Sequence, residues 1–99
     1  MINDWTKVRL YGLEGYTYWV SGIYKVVSYD QGGFNGYYIK DGSTNWGMRV
    51  DPAVESYPDL ESAKAACDRH EAKHAPKPKT IRRAREILND YLDKWGEVA

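Results

Sequence analysis

The chain has 99 residues, enough for one modest core, and its 14 basic and 14 acidic side chains cancel, which argues against bulk attraction to nucleic acid or anionic membrane. A single cysteine excludes an internal disulfide and a cysteine-built zinc site, and suits a reducing compartment. No apolar run reaches transmembrane length and the first residues lack the basic and apolar segments of a secretion signal, so one soluble cytoplasmic domain over residues 1–99 is expected.

Taken in order, Asp4 to Tyr11 alternates, with Thr6, Val8 and Leu10 on one side and Lys7, Arg9 and Tyr11 on the other, the pattern of a half-buried strand. Gly12-Leu13-Glu14-Gly15 reads as a turn. Tyr16 to Val20 is dense in β-formers. The pair Ser21-Gly22 then either closes a two-residue hairpin or inserts a bulge into one long strand. Ile23 to Tyr29 alternates again. Asp30-Gln31-Gly32-Gly33 is a strong turn signal that Phe34-Asn35-Gly36 prolongs, and Tyr37 to Lys40 is a short strand. Asp41-Gly42-Ser43-Thr44 turns once more, and Asn45 to Val50 forms the last strand of the meander.

At Tyr57-Pro58 the period changes from two to 3.6. Proline disfavours a helical backbone at the residue before it, and Asp59 then suits the N-cap of a helix over about 60–74. Leu60, Ala63, Ala66, Cys67 and His70 form its narrow, small-residue face, fit to lie close against a sheet. Pro76 and Pro78 break the helix, and Thr80 is a plausible N-cap for a second one over about 80–96. Ile81, Ala84, Leu88, Tyr91, Leu92 and Trp95 give that helix the cleanest apolar stripe in the chain. The expected fold is α+β: an antiparallel meander of four or five strands over about 4–50, followed by two C-terminal helices.

Three groups of residues could carry chemistry. His70 and His74 lie at i, i+4 on one helix, a spacing that lets two imidazoles share a metal, but no third ligand accompanies them and the zinc-hydrolase pattern is missing. Cys67 falls on the sheet-facing stripe, where cysteine behaves as a small hydrophobe. No catalytic set, metal set or cofactor motif emerges, and a non-enzymatic protein is expected.

The second group is basic: Lys73, Lys77, Lys79, Arg82, Arg83 and Arg85, with no acid before Glu86. Such runs are ordinarily solvated faces. Arg82 and Arg83, however, fall in the first helical turn, where cations oppose the macrodipole at roughly 0.3–1 kcal/mol each, a cost that an anionic partner or an acidic patch of the protein itself would remove. The third group is aromatic. Nine Tyr and four Trp against one Phe are more than one inner face can hold. Either several, among them Tyr18, Tyr24 and Tyr38, form an exposed docking face, or the second helix covers them. Folding back would leave a monomer with Trp95 buried; projecting would let residues 81–95 pair two copies or dock on a target.

The aromatic strands leading into Tyr57-Pro58-Asp59-Leu60-Glu61-Ser62-Ala63-Lys64-Ala65-Ala66 resemble small phage and prophage proteins, over residues 16–74. That resemblance implies an accessory protein that blocks a host macromolecule, a class including inhibitors of CRISPR and restriction systems. The same pattern is similar to three-stranded DNA-binding domains of the ethylene-response-factor and integrase-arm type. In those the sheet carries several arginines, whereas residues 1–59 here offer only Lys7, Arg9, Lys25, Lys40 and Arg49 among seven acids. The leading expectation is a binding protein with a host protein as partner, acting in the bacterial cytoplasm through Tyr18, Tyr24, Tyr38, Lys77, Lys79, Arg82, Arg83 and Arg85. The alternative is nucleic-acid binding through the basic segment or the sheet.

Overall fold

A computed structural model describes residues 4–12 and 17–99. The elements run β1 (Thr6–Leu10), β2 (Thr17–Ser21), β3 (Tyr24–Ser28), β4 (Phe34–Tyr38), β5 (Met48–Arg49), α1 (Leu60–Lys73), α2 (Pro78–Lys94) and β6 (Gly96–Val98). The α+β fold expected from the sequence is present: β1 to β5 form an antiparallel meander and both helices follow it. The turn read at 12–15 lies almost wholly outside the described residues, as does Tyr16 at the start of its strand.

Four boundaries differ from that expectation. The sheet has a sixth strand, because the chain reverses after Trp95 and β6 pairs antiparallel with β1, giving the order β5-β4-β3-β2-β1-β6. Arg9 and Glu97, opposite each other in that pair, form a salt bridge across it. The second helix therefore stops at Lys94 rather than near Gly96. Residues 34–36 are strand and not turn. Phe34 exchanges backbone hydrogen bonds with Tyr57, the Val50 amide donates to the Gly36 carbonyl, and the buried Asn35 amide donates to the carbonyl of Glu55 at 2.7 Å. Long-range partners thus override the weak local propensity of a glycine-rich stretch. The last meander strand shrinks to Met48–Arg49. Ser21-Gly22 turns out to belong to a hairpin whose two loop residues are Gly22 and Ile23; Gly22, at φ 55°, supplies the positive φ that a II′-type turn needs at its first loop position.

Strand register sorts the side chains onto two faces. Trp19, Tyr24, Val26, Phe34, Gly36 and Tyr38 share the first, where α1 packs with Ala63, Ala66 and Cys67 fully buried and Leu60 half-buried, as its small-residue face predicts. Val8, Leu10, Tyr18, Val20, Val27 and Tyr37 share the second, which is covered by Leu88, Tyr91 and Leu92 of α2. The second helix therefore folds back onto the sheet, on the face opposite α1. Its first half, Ile81 and Ala84, closes the end of the α1-side core near Ile23 and Ile39. Trp95 does not share in this burial. It caps the helix, its amide donating to the Tyr91 carbonyl, and is 60% exposed.

The cap of α1 is as expected: the Asp59 carboxylate accepts from the Ser62 amide at 2.7 Å, and this bond holds its pKa below the ordinary carboxylate value. At α2 the N-cap position is Lys77 instead of Thr80, so Arg82 and Arg83 fall in the second turn and not, as expected, the first; Pro78 takes the first helical position, where its missing N–H costs nothing. The linker between the helices rounds the end of the sheet, and Asp41 in the β4–β5 turn anchors it there. Thr80 donates to Asp41 at 2.5 Å and Lys77 lies 3.2 Å from the same carboxylate, which keeps Asp41 ionised to lower pH than usual.

How closely α1 rides on the sheet is set at Gly36. A Cβ there would stand 2.9 Å from the Cys67 sulfur and 3.0 Å from a Val50 methyl. Gly36→Ala is expected to cost about 1–3 kcal/mol by overpacking, lowering Tm by at least about 4 °C. Cys67→Ala on that background should recover part of the loss in thermal melts. A Gly36→Ala protein that melts like the parent would show that α1 can lift away freely.

Candidate functional site

The basic segment becomes one surface at the start of α2. Lys77 precedes the helix, Lys79 and Arg82 follow in its first turns, and together with Arg83 they line an open groove of about 740 Å³ whose other wall is the turn Asp41-Gly42-Ser43. Thr80 lies at its base and Glu86 at its far end. Lys77 is paired with Asp41, but Lys79, Arg82 and Arg83 make no salt bridge among the described residues. Lys79 therefore stands against the positive end of the helix, with Arg82 and Arg83 one turn on and one carboxylate, Asp41, near that end. Arg85 is exposed on α2 but does not line the groove. Lys73 belongs to a separate shallow hollow beside Arg69, His70 and His74.

The tyrosines proposed from sequence as a docking face do not form one. Tyr18 is 5% exposed and packs edge-on against Tyr91 of α2, with ring centroids 6.3 Å apart. Tyr24 is 1% exposed. Both correct the expectation, and for one reason: each sheet face has a helix over it, so alternation has no solvent side to send them to. Tyr38 is half-buried and lies against the His70 ring at 4.2 Å. Nor do these three meet in one patch, since register puts Tyr18 on the α2 side and Tyr24 and Tyr38 on the α1 side.

His70 is built into the core margin. Its Nδ1 lies 2.9 Å from the Tyr24 hydroxyl, with Tyr38 on one side and the His74 ring at 4.8 Å on the other. Burial, then the neighbouring His74, lowers its pKa below the usual imidazole value, while burial and Glu71 push the Tyr24 phenol up. Burial likewise raises the Cys67 thiol to about 12, so that it sits in the core as a neutral thiol at physiological pH. Among the described residues no three His, Cys, Asp or Glu side chains converge as a metal site. Sequence reasoning found the cations but missed Asp41 and Ser43, the opposite wall of their groove. The signal was the Asp41-Gly42 turn, which local patterning cannot pair with a helix nearly forty residues away.

No helix among the described residues is long and apolar enough to cross a membrane. Comparison with protein-family models, with curated proteins and with solved structures found no match.

The His70 environment has a measurable consequence. A histidine whose pKa lies lower in the folded chain than in the unfolded one binds its proton more readily when unfolded. Its stabilising contribution is complete above the ordinary value of 6.5 and declines as pH falls through 6.5 towards the folded value. Thermal melts between about pH 7.5 and pH 5.5 should therefore show a steeper loss of Tm for the parent than for His70→Asn. Parallel curves would mean that His70 is as easily protonated in the fold as in water.

Proposed function

We propose that this chain is a non-enzymatic accessory protein of the phage type, which acts in the bacterial cytoplasm by occupying an acidic surface of a host protein, as an inhibitor of host defence would. The observation that carries the reading is the groove at the start of α2, where Lys79, Arg82 and Arg83 converge without ion-pair partners among the described residues. Lys79, in the first turn of α2, opposes the helix macrodipole, a cost that an anionic ligand would relieve. The phage character rests on the resemblance of residues 16–74.

An acidic protein surface suits this groove better than a phosphate backbone. The cations form one short cluster, bounded by Asp41 and Glu86, rather than a track that could follow successive phosphates. The whole chain carries no net charge to add a long-range field. Recognition at such a cluster is governed by complementary charge, which sets the rate and specificity of encounter more than raw affinity.

Charge reversal separates a binding role from a solvated surface. Arg82→Glu with Arg83→Glu should leave the free protein within about 0.5 kcal/mol of the parent, because both side chains are exposed and lie beyond the first helical turn. The same variant should lose a partner recovered by the parent from bacterial lysate. Equal recovery by both proteins sinks the reading. A parallel titration with duplex DNA tests the nucleic-acid alternative. Binding that weakens steeply with salt, and that the reversal abolishes, would replace the protein partner by a phosphate backbone.

A further inference from the structure

A second cleft lies between α2 and the α2-facing side of the sheet, far from the start of the helix. It measures about 410 Å³, and its walls are the rings of Tyr18, Trp46 and Tyr91 with the aliphatic Ile87 and Leu88. One charged side chain lines it, that of Lys25. Lys25 comes from β3, a strand paired on both sides, so its backbone is fixed and its amine points where register sends it. The ammonium lies 5.3 Å from the Tyr18 ring centroid and 5.9 Å from that of Trp46.

Lys25 is half-buried, no carboxylate lines the cleft, and no salt bridge reaches it from the described residues. Burial lowers its pKa below the ordinary lysine value. Two aromatic faces return some of the lost hydration, but a cation–π contact does not replace a counter-ion. Lysine is thus held where a methionine would pack at no electrostatic cost. The cleft has the make-up of small-ligand sites: apolar and aromatic walls, a volume in the usual range and a few placed polar groups.

We propose that this cleft binds a small organic monocarboxylate with an aromatic body, its carboxylate paired with the Lys25 ammonium and its ring set among Tyr18, Trp46 and Tyr91. A single cation matches a single negative charge. A phosphate dianion would bring a second charge, and the stretch of α2 at hand, Ile87 to Tyr91, lies in the second half of the helix, where no free N–H groups could hold it. The aromatic walls favour a flat ring by edge and face contacts. This site does not depend on the basic groove, and its test is separate.

Phenylacetate is the probe and phenylacetamide its uncharged isostere, each titrated into the full chain by amide NMR. The expected result is saturable shift changes at Lys25, Trp46 and Tyr91, with Kd for the acid of roughly 1 mM or below. The acid should bind roughly tenfold tighter than the amide. Lys25→Met should abolish that preference; Lys25→Gln serves the same purpose if the methionine variant fails to fold, and Lys25→Arg should keep it. Unsaturable shifts, equal affinity for acid and amide, or a preference that survives loss of the cation would each overturn the proposal.

Discussion

Both faces of this sheet are apolar, and almost everything else in the molecule answers to that. An antiparallel sheet in a chain of 99 residues usually leaves one face to water. Here Tyr24, Val26 and Phe34 on one side and Val8, Tyr18 and Val20 on the other all need cover. Two helices supply it, and they cannot be alike. Beside Gly36, where the strand backbone has no side chain, α1 comes close through Cys67 and the Ala63 backbone, with Val50 filling the rest of the gap. Over the opposite face the side chains are smaller towards β1, and Leu88, Tyr91 and Leu92 must reach down to fill the space. The chain therefore has to pass from one face to the other between its helices. Pro76 and Pro78 stiffen that passage, and Asp41, bonded to Lys77 and Thr80, fixes where it rounds the sheet.

What the sequence made legible follows the same division. The switch of period at Pro58, the Asp59 cap and the small-residue face of α1 are local signals, and each has its counterpart in the structure. The excess of tyrosine also carried real information, since it demanded either a docking face or a second covering helix. Pattern alone could not choose between these, because the choice depends on where α2 goes after the proline linker. The strand character of Phe34-Asn35-Gly36 was hidden by glycine and is conferred by Tyr57, Val50 and Glu55, all distant in sequence. Gly96-Glu97-Val98 is too short to show a period of two, and pairs only because α2 delivers it beside β1. Trp95 completes a helical stripe on paper, yet the helix ends one residue earlier and leaves it in solvent.

The candidate surfaces were legible in part, for a related reason. Lys79, Arg82 and Arg83 are consecutive enough for a sequence to show them as a cluster, whereas Asp41 and Ser43 join them only through the fold. Lys25 carried no signal in the alternation of its strand. It became half-buried once its face was found to lie under α2, so the same correction that removed Tyr18 from the surface gave Lys25 its unusual setting.

Departures from local rules are informative because a sequence under selection for folding alone would have no need of them. On the α1 side the half-buried histidine has its tyrosine and the buried thiol is neutral. The α2 side is different. Lys79 stands in the first turn of the helix where an acid would stabilise it, and Lys25 of β3, without a counter-ion among the described residues, lies beside two aromatic rings farther along. Both departures are cationic, both cost stability in the free protein, and an anion would relieve either. α1 is thus accounted for by packing, while the α2 side of the sheet carries charges, on α2 and on β3, that packing does not explain. Because Asp41 holds the start of α2 and Leu88, Tyr91 and Leu92 seat its second half, those charges are presented from a rigid support, the condition under which a few side chains can discriminate between ligands.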